Sequence, residues 1–245
     1  MLFSGDARLE GILEWPDLEG DARVTAGVVV AHPHPLYGGT MAQPVVFRIA
    51  QACRRQGFAS LRFNFRGVGR SGGRYSGSEE YRDVEAAVAF LRGRLAADHG
   101  IVETGGRRLR LALAGYSFGS VMVAMAATGP TPVQALALIA PVVNWDESPP
   151  GAWDGLAAFH GPVLAVCGEK DDLAPPDDVG RVLGALKIDH RVAVVEGAGH
   201  LFEHRQKDVG ELVAAFFAEK LGARPHPPGT ASTAHEKRLD RAGPG

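Results

Sequence analysis

Ser117 lies between two glycines, in the segment Gly115-Tyr116-Ser117-Phe118-Gly119. This Gly-x-Ser-x-Gly pattern is typical of a nucleophile elbow, a strained turn between a strand and a helix that holds the serine hydroxyl clear of the sheet. The residues two positions before and after the serine must have almost no side chain, because a Cβ would clash inside the turn. The pattern therefore predicts that the Ser117 hydroxyl acts as a nucleophile.

The same pattern occurs a second time in the chain, around Ser71. Ser71 lies deep in a glycine-rich stretch, several residues after the nearest predicted strand, and no helix is predicted before about Glu79. Ser117 instead directly follows a predicted strand and directly precedes a predicted helix. This strand–turn–helix context favours Ser117 over Ser71. The alternative for Ser117 is a glycine-flanked turn without a catalytic role.

A serine hydroxyl needs a base within hydrogen-bond reach, and the base needs an acid that orients it. His200 follows the predicted strand Arg191–Val195 on a glycine-rich loop. At the carboxyl end of a strand its ring can turn into the crevice above the sheet. The alternative is His204, which is flanked by Glu203 and Arg205 and is expected to be solvated. We therefore predict that His200 is the base.

The acid is expected between the serine and the histidine in the chain, because elbow enzymes carry their groups in that order. Glu169, Asp171 and Asp172 all follow the predicted strand Val163–Gly168. We predict Asp171 as the acid, with Asp172 as the reserve and Asp146, after the preceding strand, as a third candidate. The alternative for the segment is an aspartate-rich turn that caps the following helix.

The elements that position these groups alternate between strands and helices. The predicted strands are Leu9–Trp15, Val24–Ala31, Phe58–Asn64, Leu109–Ala114, Val133–Ala140, Val163–Gly168 and Arg191–Val195. The predicted helices are Val45–Gln56, Ser78–Leu95, Phe118–Ala127, Asp177–Leu186 and Asp208–Leu221. This alternation predicts an α/β fold with a largely parallel sheet, helices on both faces and an antiparallel start at its edge. Residues 1–221 form the predicted domain, and residues 222–245, which lack apolar periodicity, are predicted to be a disordered tail.

Composition excludes several classes of function. The net charge of the 245 residues is −2, and no basic stripe is present, so we do not expect nucleic acid as a partner. The only cysteines, Cys53 and Cys167, stand in apolar surroundings, which argues against a disulfide framework or a metal site. No signal peptide or membrane span is recognisable, so the cytoplasm is the expected compartment. The oligomeric state stays open between monomer and dimer.

The glycine-rich stretch that begins at Arg66 resembles a phosphate loop only superficially. It lacks the strand-to-helix context and the Lys-Ser/Thr pair of a nucleotide site, so no nucleotide or other cofactor is expected. Its glycines are expected to let the chain turn sharply beside the active site. Arg66 and Arg70 could alternatively meet an acidic substrate.

With these motifs in order, the chain resembles the α/β-hydrolase superfamily over about residues 8–221. The segments His32–Gly39 and Asn64–Ser71 look like those of small bacterial hydrolases similar to dienelactone hydrolase-like enzymes and cap-less serine esterases. The resemblance implies an eight-stranded, mostly parallel sheet, catalytic loops at the strand ends and an acyl-enzyme mechanism. Relatives more often carry Asp where Asn64 stands and His-Gly where His32 and Pro33 stand, so the substrate does not follow from the resemblance.

A tetrahedral intermediate needs preorganised N–H donors, which form an oxyanion hole. In this fold one donor is the residue after the nucleophile, here Phe118, at the start of a helix. The second is expected from the loop 32–39, whose two prolines have no N–H. His34, Leu36 and Tyr37 remain, and the resemblance favours His34, with Leu36 next. Alternatively, the histidine side chains of this loop only satisfy loop backbone.

The segment between the predicted strands Val133–Ala140 and Val163–Gly168 is too short for a cap domain. It spans about twenty residues, Pro141–Gly161, so the site is expected to be open. Its aromatic residues either line the approach to the site or pack the segment onto the body. We expect Leu36, Tyr37 and Trp145 to contribute to a substrate pocket.

The sequence as a whole predicts a cofactor-independent serine hydrolase with Ser117, Asp171 and His200 as its catalytic residues. Its substrate is expected to be a small carboxylic ester, with a thioester or an amide as alternatives. The competing hypothesis from another class is a non-catalytic binding or scaffold protein on the same fold, because fold alone does not establish function. A serine and histidine more than about 4–5 Å apart would favour the scaffold, since nucleophile and base must approach hydrogen-bond reach.

Overall fold

The computed structural model describes residues 1–17, 24–99, 109–145, 148–149, 151–222 and 236–238. Strands in this part of the chain are β1 (Leu2–Ser4), β2 (Ala7–Leu9), β3 (Gly11–Glu14), β4 (Ala26–Ala31), β5 (Ala59–Phe63), β6 (Arg110–Tyr116), β7 (Ala135–Ile139), β8 (Val163–Gly168), β9 (His190–Val195) and β10 (Glu236–Arg238). Helices are α1 (Pro44–Arg55), α2 (Tyr81–His99), α3 (Phe118–Met125), α4 (Asp154–Ala157), α5 (Pro176–Ala185) and α6 (Gln206–Leu221), with a short 3-10 helix at Pro35–Tyr37.

Eight strands form one sheet in the order β10-β3-β5-β4-β6-β7-β8-β9. From β5 to β9 all neighbours are parallel. At the other edge β3 pairs antiparallel with β5, and β10 pairs antiparallel with β3. The predicted α/β-hydrolase fold with a mostly parallel eight-stranded sheet is therefore confirmed. The strands β1 and β2 form a separate antiparallel pair, of which the sequence pattern predicted only Leu9, as the first residue of Leu9–Trp15.

The central strands are apolar along their whole length because helices cover both faces of the sheet. Every residue of β4 and of β8 is buried, as expected for parallel strands between two helical layers. One layer contains α1 and α6, which pack against each other, and the other contains α2, α3 and α4. Helix α2 lies so close to β4 that a Cβ on Gly27 would meet the Leu91 side chain at 2.8 Å.

Within the described residues of the segment Pro141–Gly161, the short helix α4 is formed and no cap domain is present. Phe159 is buried and Trp153 packs against the core, so these two aromatic residues hold the segment on the body. The described part of this segment therefore adds no domain over the carboxyl ends of β4 to β9. In this architecture the loops at those ends build the binding crevice.

The last helix, α6, ends at Leu221, where Gly222 adopts a left-handed conformation with φ of 62°. The predicted domain boundary lies at this residue. Most of the tail predicted to be disordered, 223–235 and 239–245, lies outside the described residues. Within the tail, Glu236–Arg238 is described as the edge strand β10, which the apolar pattern did not indicate because an edge strand of three residues carries little periodicity.

None of the helices in the described ranges is both long enough and apolar enough to cross a bilayer.

Candidate active site

Ser117 occupies the turn between β6 and α3. Its backbone has φ of 54° and ψ of −117°, a conformation that side-chain-bearing residues rarely adopt. Such strain persists only where the surroundings enforce it, and it concentrates at functional sites. Here the Ser117 N–H donates to the Ile139 carbonyl at 2.8 Å, and the Ser120 N–H donates to the Ser117 carbonyl at 2.8 Å. The turn is therefore fixed by both the neighbouring strand and the first turn of the helix.

The two glycines of the elbow are required by close backbone contacts. A Cβ on Gly115 would lie 2.2 Å from the Gly119 carbonyl oxygen. A Cβ on Gly119 would lie 2.6 Å from the carbonyl oxygens of both Ala31 and His32. These obstacles are backbone atoms, which cannot rotate away as a side chain can. The glycines thus allow α3 to start directly beside the end of β4.

Replacing Gly119 with alanine is expected to lower the free energy of unfolding by roughly 1–3 kcal/mol, because the new methyl group overlaps with backbone atoms. The matched control is Gly184→Ala in α5, where a Cβ would meet nothing within 4 Å. That change should stabilise the protein by up to about 1 kcal/mol, through helix propensity alone. Urea unfolding of both variants measures the difference. A Gly119→Ala variant as stable as the wild type would contradict the tight elbow.

Ser117, His200 and Asp171 form a continuous hydrogen-bonded chain. The Ser117 Oγ lies 2.9 Å from the His200 Nε2. The His200 Nδ1 lies 3.0 and 2.9 Å from the two carboxylate oxygens of Asp171. Because a carboxylate only accepts, the Nδ1 carries the ring proton and the Nε2 is left to accept from the serine hydroxyl. This is the arrangement in which a histidine serves as a general base for serine.

The Asp171 carboxylate is fully buried, and its charge is stabilised locally. Its Oδ1 accepts hydrogen bonds from the N–H groups of Leu173 at 3.0 Å and Ala174 at 2.9 Å. These two donors come from the turn that follows β8, so the loop itself orients the acid toward His200. A buried carboxylate needs such donors to remain ionised.

The His200 loop is held by a partner that the sequence analysis missed. The Tyr116 hydroxyl donates to the His200 carbonyl oxygen at 2.9 Å, while the Lys170 N–H donates to the Ala198 carbonyl at 2.8 Å. Burial raises the pKa of the Tyr116 phenol, so the hydroxyl keeps its proton as a donor. Tyr116 is the variable residue before the elbow serine, and only the three-dimensional contact reveals its function.

The alternative candidates for the acid, the base and the nucleophile lie outside the hydrogen-bonded chain of Ser117, His200 and Asp171. Asp172 is exposed on the cleft wall, His204 is exposed to solvent, and Asp146 lies outside the described residues. Ser71 is buried, with its hydroxyl donating to the Asn64 carbonyl at 2.7 Å and accepting from the Glu10 N–H at 2.9 Å. The second glycine-flanked serine is therefore a cross-link between loops.

Asn64, the departure from the resembled family, bonds to a buried carboxylate. Its Nδ2 donates to the Glu10 Oε2 at 2.7 Å, and its Oδ1 accepts from the Met41 N–H at 2.8 Å. An aspartate at this position would face Glu10 with a second negative charge. The Asn64 amide can instead donate a hydrogen bond to the Glu10 carboxylate.

The loop after β4 is fixed by its two histidines. The His32 Nδ1 donates to the Pro33 carbonyl at 2.6 Å, and its Nε2 accepts from the Phe65 N–H at 3.1 Å. The His34 Nδ1 accepts from the Leu36 N–H at 3.2 Å, and its Nε2 lies 2.8 Å from the Tyr75 hydroxyl. The side chains thus satisfy backbone groups, which was the alternative reading of both histidines.

These contacts narrow the candidates for the second oxyanion donor. The Leu36 N–H donates to the His34 ring, and the Tyr37 N–H donates to the His34 carbonyl at 3.1 Å. Two of the three amides left by the sequence are thus used inside the loop. On the opposite side Phe118 is the first residue of α3, a position whose N–H has no acceptor within the helix.

Acid is expected to destabilise the fold through His32. Burial lowers the pKa of His32 from 6.5 to about 4. Between these values the unfolded chain binds a proton that the folded chain does not, so stability falls as the pH drops below about 6.5. Between pH 7 and pH 4.5 the free energy of unfolding should fall by about 2.5 kcal/mol more in the wild type than in a His32→Gln variant.

Urea unfolding at a series of pH values measures this loss. The matched control for the substitution itself is His204→Gln, which replaces an exposed histidine instead of a buried one. Equal pH slopes for the wild type and His32→Gln would show that His32 takes up its proton in the folded protein as readily as in the unfolded chain.

A cleft of about 720 Å³ opens over Ser117, and it is mainly apolar and aromatic. Tyr37 and Trp145, both expected in the pocket, line it together with Phe118. The His34 ring contacts all three of these aromatic side chains, with centroid distances of 4.7 Å to Tyr37, 5.0 Å to Phe118 and 5.4 Å to Trp145. Leu36, also expected in the pocket, is absent from the described lining and is 70% exposed on the 3-10 helix.

Sequence reasoning missed the polar and apolar residues of the opposite wall. Asn144 donates to the Asp178 carboxylate at 2.8 Å, and both line the cleft with Leu173 and Leu201. Each follows a strand end or begins a helix, but nothing in the pattern distinguishes it from an ordinary loop residue. Arg66, considered for an acidic substrate, instead pairs with the buried Asp83 at 2.7 Å.

No group of three or more metal-binding side chains occurs among the described residues. The groups that meet at Ser117 are those of acid–base and nucleophilic chemistry.

The chain is similar to several known proteins. The family model described as serine aminopeptidase, S33, matches residues 37–158. An α/β serine hydrolase homologue from Coxiella burnetii is 30% identical, with 89% of this chain and 96% of that chain covered and a TM-score of 0.73. A lidless α/β serine hydrolase from Xanthomonas campestris is 25% identical, with 94% and 100% covered and a TM-score of 0.70. An uncharacterized protein of Rickettsia prowazekii is 27% identical over 193 residues, 76% of this chain and 75% of that protein.

Proposed function

The chain belongs to the α/β-hydrolase superfamily, and from this membership and the geometry of its site we propose that it is a serine hydrolase that cleaves a small carboxylic ester through an acyl-enzyme on Ser117. A thioester or an amide would react by the same steps and stays an alternative. The observation that carries the proposal is the 2.9 Å contact between the Ser117 Oγ and the His200 Nε2, continued from the His200 Nδ1 to Asp171.

In the proposed acylation step the Ser117 Oγ attacks the carbonyl carbon while the His200 Nε2 takes the hydroxyl proton. Asp171 holds the imidazole in the required tautomer and stabilises the imidazolium. The N–H groups of Phe118 and His34 would bind the oxygen on which negative charge develops. When the tetrahedral intermediate collapses, the proton on His200 passes to the leaving alkoxide.

Deacylation repeats these steps with water as the nucleophile. The His200 Nε2 accepts a proton from the attacking water, and the Ser117 Oγ leaves with a proton returned from the imidazolium. The open cleft lets water reach the acyl-enzyme after the alcohol has departed. No cofactor is required for any of these steps.

A scaffold protein on the same fold is the competing function. It would need neither the strained serine nor a base within hydrogen-bond reach of it. The distance of 2.9 Å is well inside the 4–5 Å limit at which a scaffold would become the better reading, which supports the enzyme.

Pre-steady-state hydrolysis of p-nitrophenyl butyrate tests the proposal. We expect a burst of p-nitrophenol close to one equivalent of enzyme, followed by slower turnover, because p-nitrophenolate is a good leaving group and acylation should therefore be faster than deacylation. A His200→Gln variant should lose the burst, whereas the exposed His204→Gln should retain it. Turnover that persists in His200→Gln would contradict the proposed base.

A further inference from the structure

Three of the large apolar side chains that are at least half exposed line the cleft. In the described residues the exposed ones are Met1, Phe3, Leu36, Tyr37, Leu173, Val194 and Leu201. Of these, Tyr37, Leu173 and Leu201 line the cleft. We name these three residues the apolar rim: Tyr37, Leu173 and Leu201, which are 78%, 63% and 60% exposed.

The apolar rim is attached to the catalytic groups through the backbone. Leu173 donates its N–H to the Asp171 carboxylate at 3.0 Å, and Leu201 directly follows His200. Tyr37 donates its N–H to the His34 carbonyl at 3.1 Å. The loops after β4, β8 and β9 therefore hold the backbone of these residues beside the catalytic groups. Single exposed apolar side chains are ordinary, but a group that surrounds a cleft is typical of a binding surface.

Buried apolar side chains line the cleft together with the apolar rim. Phe118 and Val142 are buried in the lining, and Trp145 contacts Phe118 with a centroid distance of 5.9 Å. A hydrocarbon chain bound at Ser117 therefore has apolar side chains to contact within the cleft. Its outer end would meet Leu173 or Leu201 on the way to solvent.

Charge in the cleft restricts the kind of chain that fits. Asp172 and Asp178 line it, and the described lining residues include neither lysine nor arginine. Asp178 is partly neutralised by Arg181 at 2.7 Å, whereas Asp172 is exposed. A carboxylate on the substrate, or an anionic lipid surface at the mouth, would meet negative charge without a compensating cation from the lining.

We propose that the apolar rim binds the hydrocarbon chain of the substrate, and that the protein prefers uncharged esters whose chain extends beyond the cleft. This inference rests on the proposed serine hydrolase function and adds the class of substrate. The hydrocarbon chain of the substrate binds more tightly because it removes apolar side chains from contact with water. Each methylene that reaches the rim should raise kcat/KM about twofold, less than for full burial because one side stays in water.

The test compares p-nitrophenyl octanoate with p-nitrophenyl acetate, both below their micellar concentrations. In the wild type kcat/KM should favour octanoate. In the double variant Leu173→Ser/Leu201→Ser the octanoate-to-acetate ratio should fall about tenfold, mostly through KM. Val194→Ser is the matched control, because Val194 is 51% exposed on β9 and lies outside the described lining. Its ratio should equal that of the wild type.

The charge requirement is tested with an ester of the same length that ends in a carboxylate, the mono-p-nitrophenyl ester of an eight-carbon diacid. We expect the wild type to cleave it about tenfold more slowly than the octanoate at low salt, and the difference to shrink in high salt. Asp172→Asn should reduce the difference about threefold. Asp177→Asn, an exposed neighbour outside the described lining, should leave it unchanged.

The outcomes separate the inference from the function on which it rests. Turnover that depends on Ser117 but shows the same octanoate-to-acetate ratio in the wild type and the rim variant would overturn the inference and leave the hydrolase intact. A rate increase that appears only with micelles or vesicles would overturn it in favour of a lipid surface. A dimer that dissociates in the rim variant, with an unchanged ratio, would overturn it in favour of a second copy. Absence of Ser117-dependent turnover with every ester would overturn both proposals.

Discussion

Replacing Ser117 with alanine is expected to lower kcat for p-nitrophenyl butyrate by on the order of 10⁵- to 10⁶-fold, as loss of the nucleophile does in serine proteases. The variant loses the oxygen that attacks the carbonyl, while the cleft and the oxyanion donors stay in place. Binding of the ester should change little, so a substrate analogue should retain its Kd. The measurement is steady-state hydrolysis with protein free of wild-type contamination.

The matched control for this variant is Ser71→Ala, at the second glycine-flanked serine. The Ser71 hydroxyl makes two hydrogen bonds, to the Asn64 carbonyl and from the Glu10 N–H. Its loss should lower the free energy of unfolding by roughly 1–3 kcal/mol, because buried polar groups lose their partner. Activity at a temperature where the variant is folded should stay near that of the wild type. Loss of activity in Ser71→Ala with activity retained in Ser117→Ala would show that Ser71 is the nucleophile.

The second large effect is expected at the acid. Asp171→Asn should lower kcat by on the order of 10⁴-fold, as the equivalent change does in a serine protease. An amide can donate to the His200 Nδ1, which would place the ring proton on the Nε2 and leave the Ser117 hydroxyl without an acceptor. The loss should therefore appear in kcat more than in KM.

Asp172→Asn distinguishes the chosen acid from its reserve. The two aspartates are adjacent, yet Asp171 is buried against the His200 ring whereas Asp172 is exposed on the cleft wall. Removal of an exposed charge should change kcat for a neutral ester only a few-fold. A larger loss of kcat in Asp172→Asn than in Asp171→Asn would show that Asp172, not Asp171, is the acid.

The parts of this site that are encoded locally could be predicted from the sequence. The elbow around Ser117 requires glycines at fixed spacing, and the contacts of Gly115 and Gly119 give the physical reason. Strands such as Val163–Gly168 were recognisable because strands buried on both faces are apolar throughout. The chain order of serine, acid and histidine then follows from the order of the strand ends.

Other features depend on contacts between distant parts of the chain, which no local pattern encodes. Tyr116 meets the His200 carbonyl across 84 positions, and Ser71 meets Glu10 across 61. Which loop residues line a cleft also depends on packing, so Tyr37 lines the cleft whereas its neighbour Leu36 is absent from the described lining. For the same reason the apolar rim emerges only when three loops are brought together.

Covalent labelling with a fluorophosphonate, mapped by mass spectrometry of the digested protein, tests the nucleophile most directly. The reagent needs an activated serine but no matching substrate, so it reports the Ser117–His200–Asp171 arrangement independently of substrate preference. We expect one label per chain, on the peptide that contains Ser117, and none on the Ser117→Ala variant. Absence of labelling in the folded wild type, or a label on Ser71 or another serine, would contradict the proposal that Ser117 is the catalytic nucleophile.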